Sequence, residues 1–172
     1  PLLGLVPLYQ IPRTLLCASA DAAIALGVAR SCLAGFFELA NANTPRAMQA
    51  ALRDQPMVQA AVGHAEADLR SGLAFLTEAV DEIWAEVTST GATTQERRAV
   101  LRLASTHGIR LAVRVVDNLY NAAGVTAIYE GNLMQRHFQD IHVISQHLQA
   151  RLSHYEDVGR HWLGQPVDLT KP

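Results

Sequence analysis

The chain has 172 residues, a formal charge of −2 before any histidine protonation, and 49% hydrophobic residues of which few are aromatic. That length is one domain's worth, enough to bury roughly 70% of the surface the unfolded chain would expose. Alanine and leucine dominate, which favours an all-α fold over strands, and the basic residues, all arginine except Lys171, are scattered singly, an arrangement that argues against nucleic acid or an anionic membrane as partner.

The opening stretch up to Ala29 is apolar, but no basic region precedes it and Arg13, Asp21 and Arg30 interrupt it. It reads as a buried helix, not a signal peptide or membrane span. A first helix is expected from about Pro12 to Ala42, with proline tolerated in the opening turn and Ile24, Val28, Cys32 and Leu33 as its apolar stripe. Gly27 and Gly35 on this helix read as points of close helix packing. Cys17 and Cys32 lie too far apart along one helix to pair, so both are expected as reduced thiols in a cytoplasmic protein.

A polar connector from Asn43 to Gln55 has room for one short helix begun by Thr44 and Pro45. The second helix is expected from about Pro56 to Ser89, with Val58, Val62, Leu69, Leu73, Leu76, Val80, Ile83 and Val87 at three- and four-residue steps, ending at Thr90-Gly91. Thr93 and Glu96 then form a T-x-x-E capping box for a third helix over 93–124, carrying Val100, Leu103, Leu111, Val115 and Leu119 and stopping near Gly124. A fourth is expected from Asn132 to Ser153. Long helices of this kind on short connections give an antiparallel four-helix bundle, followed by a short helix around Tyr155 to Trp162 and a proline-bounded tail. A chain that begins at Pro1 without an initiator methionine reads as a C-terminal piece of a longer protein.

Metal chemistry finds little support. A di-iron bundle takes two Glu-x-x-His pairs, and none of the glutamates has histidine three residues later; the two cysteines have no histidine at zinc-ligand spacing. No metal is expected. No G-x-S-x-G elbow marks a serine nucleophile either.

The unusual block is Asn121 to His147, NAAGVTAIYEGNLMQRHFQDIHVISQH, which gathers Glu130, Arg136, Asp140, His142 and His147 around a glycine-containing break. On a continuous helix Arg136 and Asp140 are one turn apart and form a surface ion pair. Asp140 and His147 are two turns apart and share a face, while His142 lies off it and pairs with Gln146.

This block, with ALGVARSCLAGFFELA and LRDQPMVQAAVGHAEADLRSGLAFL before it, resembles the C-terminal helical domain of the acyl-CoA dehydrogenase superfamily over nearly the entire chain. Its ending, Arg136, Asp140 and His147 in R-x-x-x-D-x-x-x-x-x-x-H order, is most similar to the branch of reduced-flavin-dependent monooxygenases that act on aromatic compounds. The resemblance implies one third of a three-domain flavoenzyme that uses FAD or reduced FMN or FADH2, and a homotetramer built largely through the bundle. A flavin reductase and a small-molecule substrate are the other partners it implies. It places Asn121, Gly124, Asn132, Arg136 and Asp140 at the flavin, and His147 as a catalytic residue beside its reactive edge, where an imidazole holds or passes a proton. Glu130 supports a rival reading. In Tyr129-Glu130-Gly131 followed by Gln135-Arg136 it matches the base of acyl-CoA dehydrogenases that takes the substrate α-proton. Asn132, however, replaces the dehydrogenase threonine, and Asn121-Ala122-Ala123-Gly124 replaces their Q-x-x-G-G turn. A third reading is an isolated oligomerisation module without activity.

Overall fold

The computed structural model describes residues 6–42, 51–129 and 131–170. Five α-helices follow in order: α1 (Arg13–Ala42), α2 (Pro56–Thr90), α3 (Gln95–Ala123), α4 (Leu133–Ser145) and α5 (Ser153–Trp162), with short 3₁₀ turns at Leu52–Asp54, Gly124–Ile128 and Leu148–Ala150. No strand occurs among the described residues. The expected all-α bundle is present, and α1, α2 and α3 run close to the predicted bounds. The Thr44-Pro45 helix start lies outside the described residues.

Local chemistry sets these limits. Pro56 opens α2, where its missing N–H costs nothing. Gly91, at φ 73°, ends it in the left-handed conformation, its N–H bonding back to Val87 O. The cap of α3 falls one residue later than the predicted capping box. The Thr94 hydroxyl accepts from Arg97 N–H, and Glu86 of α2 accepts from both the N–H and the hydroxyl of Thr94 at 2.8 and 2.9 Å. Thr93 instead accepts from Arg98 Nε, and Glu96 accepts from the Trp162 indole of α5. A glutamate from the preceding helix thus completes the cap that Glu96 was expected to complete.

Helix α3 is buried on most of its circumference and packs along both α1 and α2, while α4 closes over α1 and α3. Close approach selects small residues. The buried face of α1 is Ala18, Ala22, Ala25 and Ala29 with Leu15, Leu26, Leu33 and Phe36, whereas Ile24 is exposed. Leu73 and Val80 of α2 are exposed likewise, so three residues of the predicted stripes face outward. The tightest packing glycine is Gly72, where a Cβ would meet Leu111 at 3.0 Å and Leu26 at 3.2 Å; Gly108 faces Leu26 at 3.5 Å and Gly35 faces Leu133 of α4 at 3.7 Å, as expected of a packing point, whereas a Cβ on Gly27 would meet nothing. Helix α1 is long and apolar enough to cross a membrane by length and composition, but here its buried face is spent on the bundle. Both thiols are free. Cys32 is fully buried with Sγ 3.7 Å from Met134 Sδ of α4, and burial pushes its thiol up to about 12.

The fourth helix departs most from expectation. It ends at Ser145, followed by a bend, the Leu148–Ala150 turn and a separate α5, where one helix from Asn132 to Ser153 was predicted. The cause is tertiary. Gln149 and Ala150 are buried and held from α3: Arg102 Nη1 donates to Gln149 Oε1, Thr106 Oγ1 to Gln149 O, and Arg110 Nε to Ala150 O at 2.9 Å. A straight helix would carry these groups away from their donors.

Candidate functional site

The break in the fourth helix decides where His147 stands. It is not on α4 at all, but caps the Leu148–Ala150 turn with an extended backbone, so the shared face with Asp140 expected from helical spacing does not exist. Its carboxylate neighbour comes from α1. His147 Nδ1 lies 2.9 Å from Asp21 Oδ2, while the N–H of Gln149 reaches the same Nδ1 only at 3.5 Å. The ring is half exposed and Asp21 is 29% exposed, yet Asp21 Oδ2 itself is shielded from solvent and accepts no well-directed hydrogen bond.

Arg136 and Asp140 do form the expected i, i+4 pair, at 3.8 Å and largely in solvent. With Leu133 and Val143, both exposed, they lie along one outward face of α4. Asn132 is committed locally. Its Oδ1 caps α4 by accepting from Met134 N–H, and its Nδ2 donates to Thr126 O, both at 2.9 Å. Gly124 ends α3 with φ 62°, a conformation that favours glycine. Asn121 lines a surface cleft of about 340 Å³ between α2 and α3 with His64 and Asn118, away from the His147 turn. Glu130 lies outside the described residues.

His142 pairs with Asp117 of α3, Nε2 to Oδ1 at 2.9 Å, and not with Gln146, which reaches Ser145 instead. Its ring lies 4.5 Å from that of Phe138, which stacks on Tyr120 at 4.4 Å; the Tyr120 hydroxyl donates to Gln135 Oε1 at 2.7 Å. This column fixes α4 on α3.

Behind the turn sits a buried polar cluster that sequence reasoning missed. Arg102 is 1% exposed, and burial pushes its guanidinium down against the opposing pull of Asp157. His154 Nδ1 meets Thr106 Oγ1 at 3.0 Å, while its Nε2 is buried without a partner. Burial lowers the pKa of His154, with Arg102 adding to the effect and Asp157 opposing it. Asp21 had a signal, as the one acid in the alanine-rich first half of α1. Arg102 had none, because one arginine on a helix gives no sign of which way it faces.

By architecture the chain is a helical bundle whose fourth position is divided between α4 and α5. Within that class it belongs to the family described as acyl-CoA dehydrogenase, C-terminal domain, whose model matches residues 19–152. The chain is 30% identical over 162 residues to an indole-3-acetate monooxygenase of Pseudomonas putida, covering 94% of this chain and 42% of that protein. It is 30% identical over 97 residues to a pigment production hydroxylase of Rhodococcus erythropolis, covering 56% of this chain and 25% of the relative. Among solved structures, XiaF from Streptomyces sp. in complex with FADH2 and glycerol shares the fold with a TM-score of 0.87 at 19% identity, over 98% of this chain and 43% of that one. The 3-HSA hydroxylase from Rhodococcus sp. RHA1 gives 0.85 at 20% identity, over 96% and 42%. The chain therefore spans about two fifths of the length of these proteins.

Proposed function

We propose that this chain is the C-terminal domain of a flavin-dependent monooxygenase that hydroxylates an aromatic or related small molecule with reduced flavin and O2. The observation that carries the reading is the imidazole of His147, half exposed on the turn that follows α4 and backed by Asp21 at 2.9 Å. A histidine set against a carboxylate is equipped to hold or accept a proton. The relatives support the choice of chemistry, since they are named monooxygenase and hydroxylase, and a neighbour of the same fold was solved with FADH2.

The residues present fit a flavin. Leu133 and Val143 offer apolar contact to a planar ring from the same α4 face that carries the charged pair Arg136 and Asp140. Arg136 and Asp140 would hold the group, with Asn121 facing a separate cleft, while Asn132 and Gly124 shape the chain around them. Bound reduced flavin supplies the two electrons by which one atom of O2 enters the substrate and the other leaves as water. His147 keeps a proton at the ring or takes one from a phenolic substrate, and the bundle walls keep bulk water from one side of that exchange. A homotetramer formed through the bundle, a flavin reductase as electron source and a cytoplasmic location complete the proposal.

The test is His147→Ala in the full-length protein supplied with reduced flavin and an aromatic substrate. Helix content is expected to stay, because the half-exposed ring contributes little packing, while hydroxylated product per O2 consumed falls and hydrogen peroxide rises. Unchanged coupling removes His147 from the chemistry.

A further inference from the structure

The hydrogen-bonding choices open to His147 Nδ1 bear on the role of Asp21. His147 Nδ1 has two neighbours, Asp21 Oδ2 at 2.9 Å and the Gln149 N–H at 3.5 Å. It cannot serve both well. Accepting from Gln149 requires a bare Nδ1 lone pair; donating to Asp21 requires a proton there. The first choice sets a lone pair against a carboxylate oxygen at 2.9 Å and leaves that oxygen, already shielded from water, with no donor, which is costly for a charged acceptor. The second converts the same distance into a charge-assisted hydrogen bond of ordinary length and gives up only a bond at the outer limit for N–H donors.

Both ends of this contact are fixed by packing. Asp21 is bracketed on α1 by the fully buried Ala18, Ala22 and Ala25, so its Cα cannot drift from the core. The turn that His147 caps is tied to α3 through Arg102, Thr106 and Arg110. Asp140, on the other hand, is half exposed and turned toward Arg136.

We propose that Asp21 is a positioning residue that holds His147 in the Nδ1–H tautomer, so that Nε2, which has no hydrogen-bond partner among the described residues, is presented as the proton acceptor. A free imidazole has no such fixed orientation; the hydrogen bond at one ring nitrogen decides what the other can do. The consequence for catalysis rests on the reading of His147 given above, whereas the tautomer itself does not.

The experiment is a long-range ¹H–¹⁵N correlation on the chain labelled with ¹⁵N-histidine, at about pH 9, well above the ordinary imidazole range. The His147 signals are identified by their loss in His147→Gln. The expected wild-type pattern has a pyrrole-type Nδ1 and a pyridine-type Nε2. In Asp21→Leu the preference moves to Nε2–H, and Asp21→Asn, which keeps an acceptor oxygen, retains part of the original pattern. An Nε2–H pattern in the wild type overturns the proposal without any variant having to fold, as does an Nδ1–H pattern that survives in Asp21→Leu. In the full-length enzyme the same leucine variant is expected to lower product per O2 several-fold. A moved tautomer with unchanged coupling upholds the Asp21 assignment and overturns the catalytic reading of His147, so the two failures are distinguishable.

Discussion

Lowering the pH from about 7.5 to 5.5 is expected to destabilise the fold through two buried histidines. His137 is 8% exposed with neither ring nitrogen partnered, and His154 is 4% exposed with Nε2 unpartnered. Burial is the main cause that lowers both pKa values. Asp140 opposes it at His137 and Arg136 adds to it, while at His154 Arg102 adds and Asp157 opposes. Above the unfolded value near 6.5 both states are neutral and nothing is lost. Below it the unfolded chain takes up protons that the folded chain refuses, so stability falls until the pH reaches the depressed folded value. Each histidine contributes at most about 1.4 kcal/mol per pH unit inside that window, the limit for one proton, so the pair contributes at most about 2.7. Against the usual domain stability of about 5–15 kcal/mol this is a large slope. His107, partly buried, is shifted in the same direction. Glu66 and Glu96, held low by Arg70 and by Trp162 respectively, lose their contribution only further down, in the carboxylate range, and stay outside the window. Urea unfolding followed by circular dichroism at a series of pH values measures the slope. His137→Leu with His154→Asn, where the asparagine amide takes over the Nδ1 contact to Thr106, should remove most of it. A flat wild-type profile, or an unchanged slope in the double variant, refutes the reasoning.

Three further outcomes follow from the packing, the caps and the open faces. Gly72→Ala should be less stable than Gly108→Ala by about 1–3 kcal/mol, because the new Cβ meets Leu111 and Leu26 at 3.0 and 3.2 Å in the first and nothing nearer than 3.5 Å in the second; equal midpoints in urea would show that the leucines give way freely. Asn132→Ala removes both the α4 cap and the tie to Thr126 and should cost about 1 kcal/mol, read from the same unfolding curves, with no loss meaning that the cap is dispensable. Exposed Ile24, Phe37, Leu73, Trp84 and Val143 should make the chain self-associate, and a clean monomer by light scattering at micromolar concentration would count against that.

The three long helices were legible because their ends carry strong local chemistry: Pro12 and Pro56 at starts, Gly91 and Gly124 at stops. Their faces were harder to read. Ranking residues by hydrophobicity selected Ile24, Leu73 and Val80, which are exposed, because the close packing of α1 on α3 is made by alanines and by Gly108, residues whose value lies in what they lack. The cap of α3 was misplaced by one residue for a related reason, since its acid, Glu86, comes from another helix.

The same limit explains the site. Nothing in Ser145-Gln146-His147 breaks a helix by propensity; the break comes from donors on α3 that lie 40 to 47 residues away in sequence and bind Gln149 and Ala150. A periodicity argument carried through that point placed Asp140 and His147 on one face, which the break removes. The resemblance singles out His147 by order along the chain, and that order does not depend on the helix continuing through Gln146. In the folded chain the break serves a purpose that a straight helix would not: it brings His147 down onto α1, where Asp21 at 2.9 Å supplies the carboxylate that Asp140, pointing into solvent beside Arg136, does not.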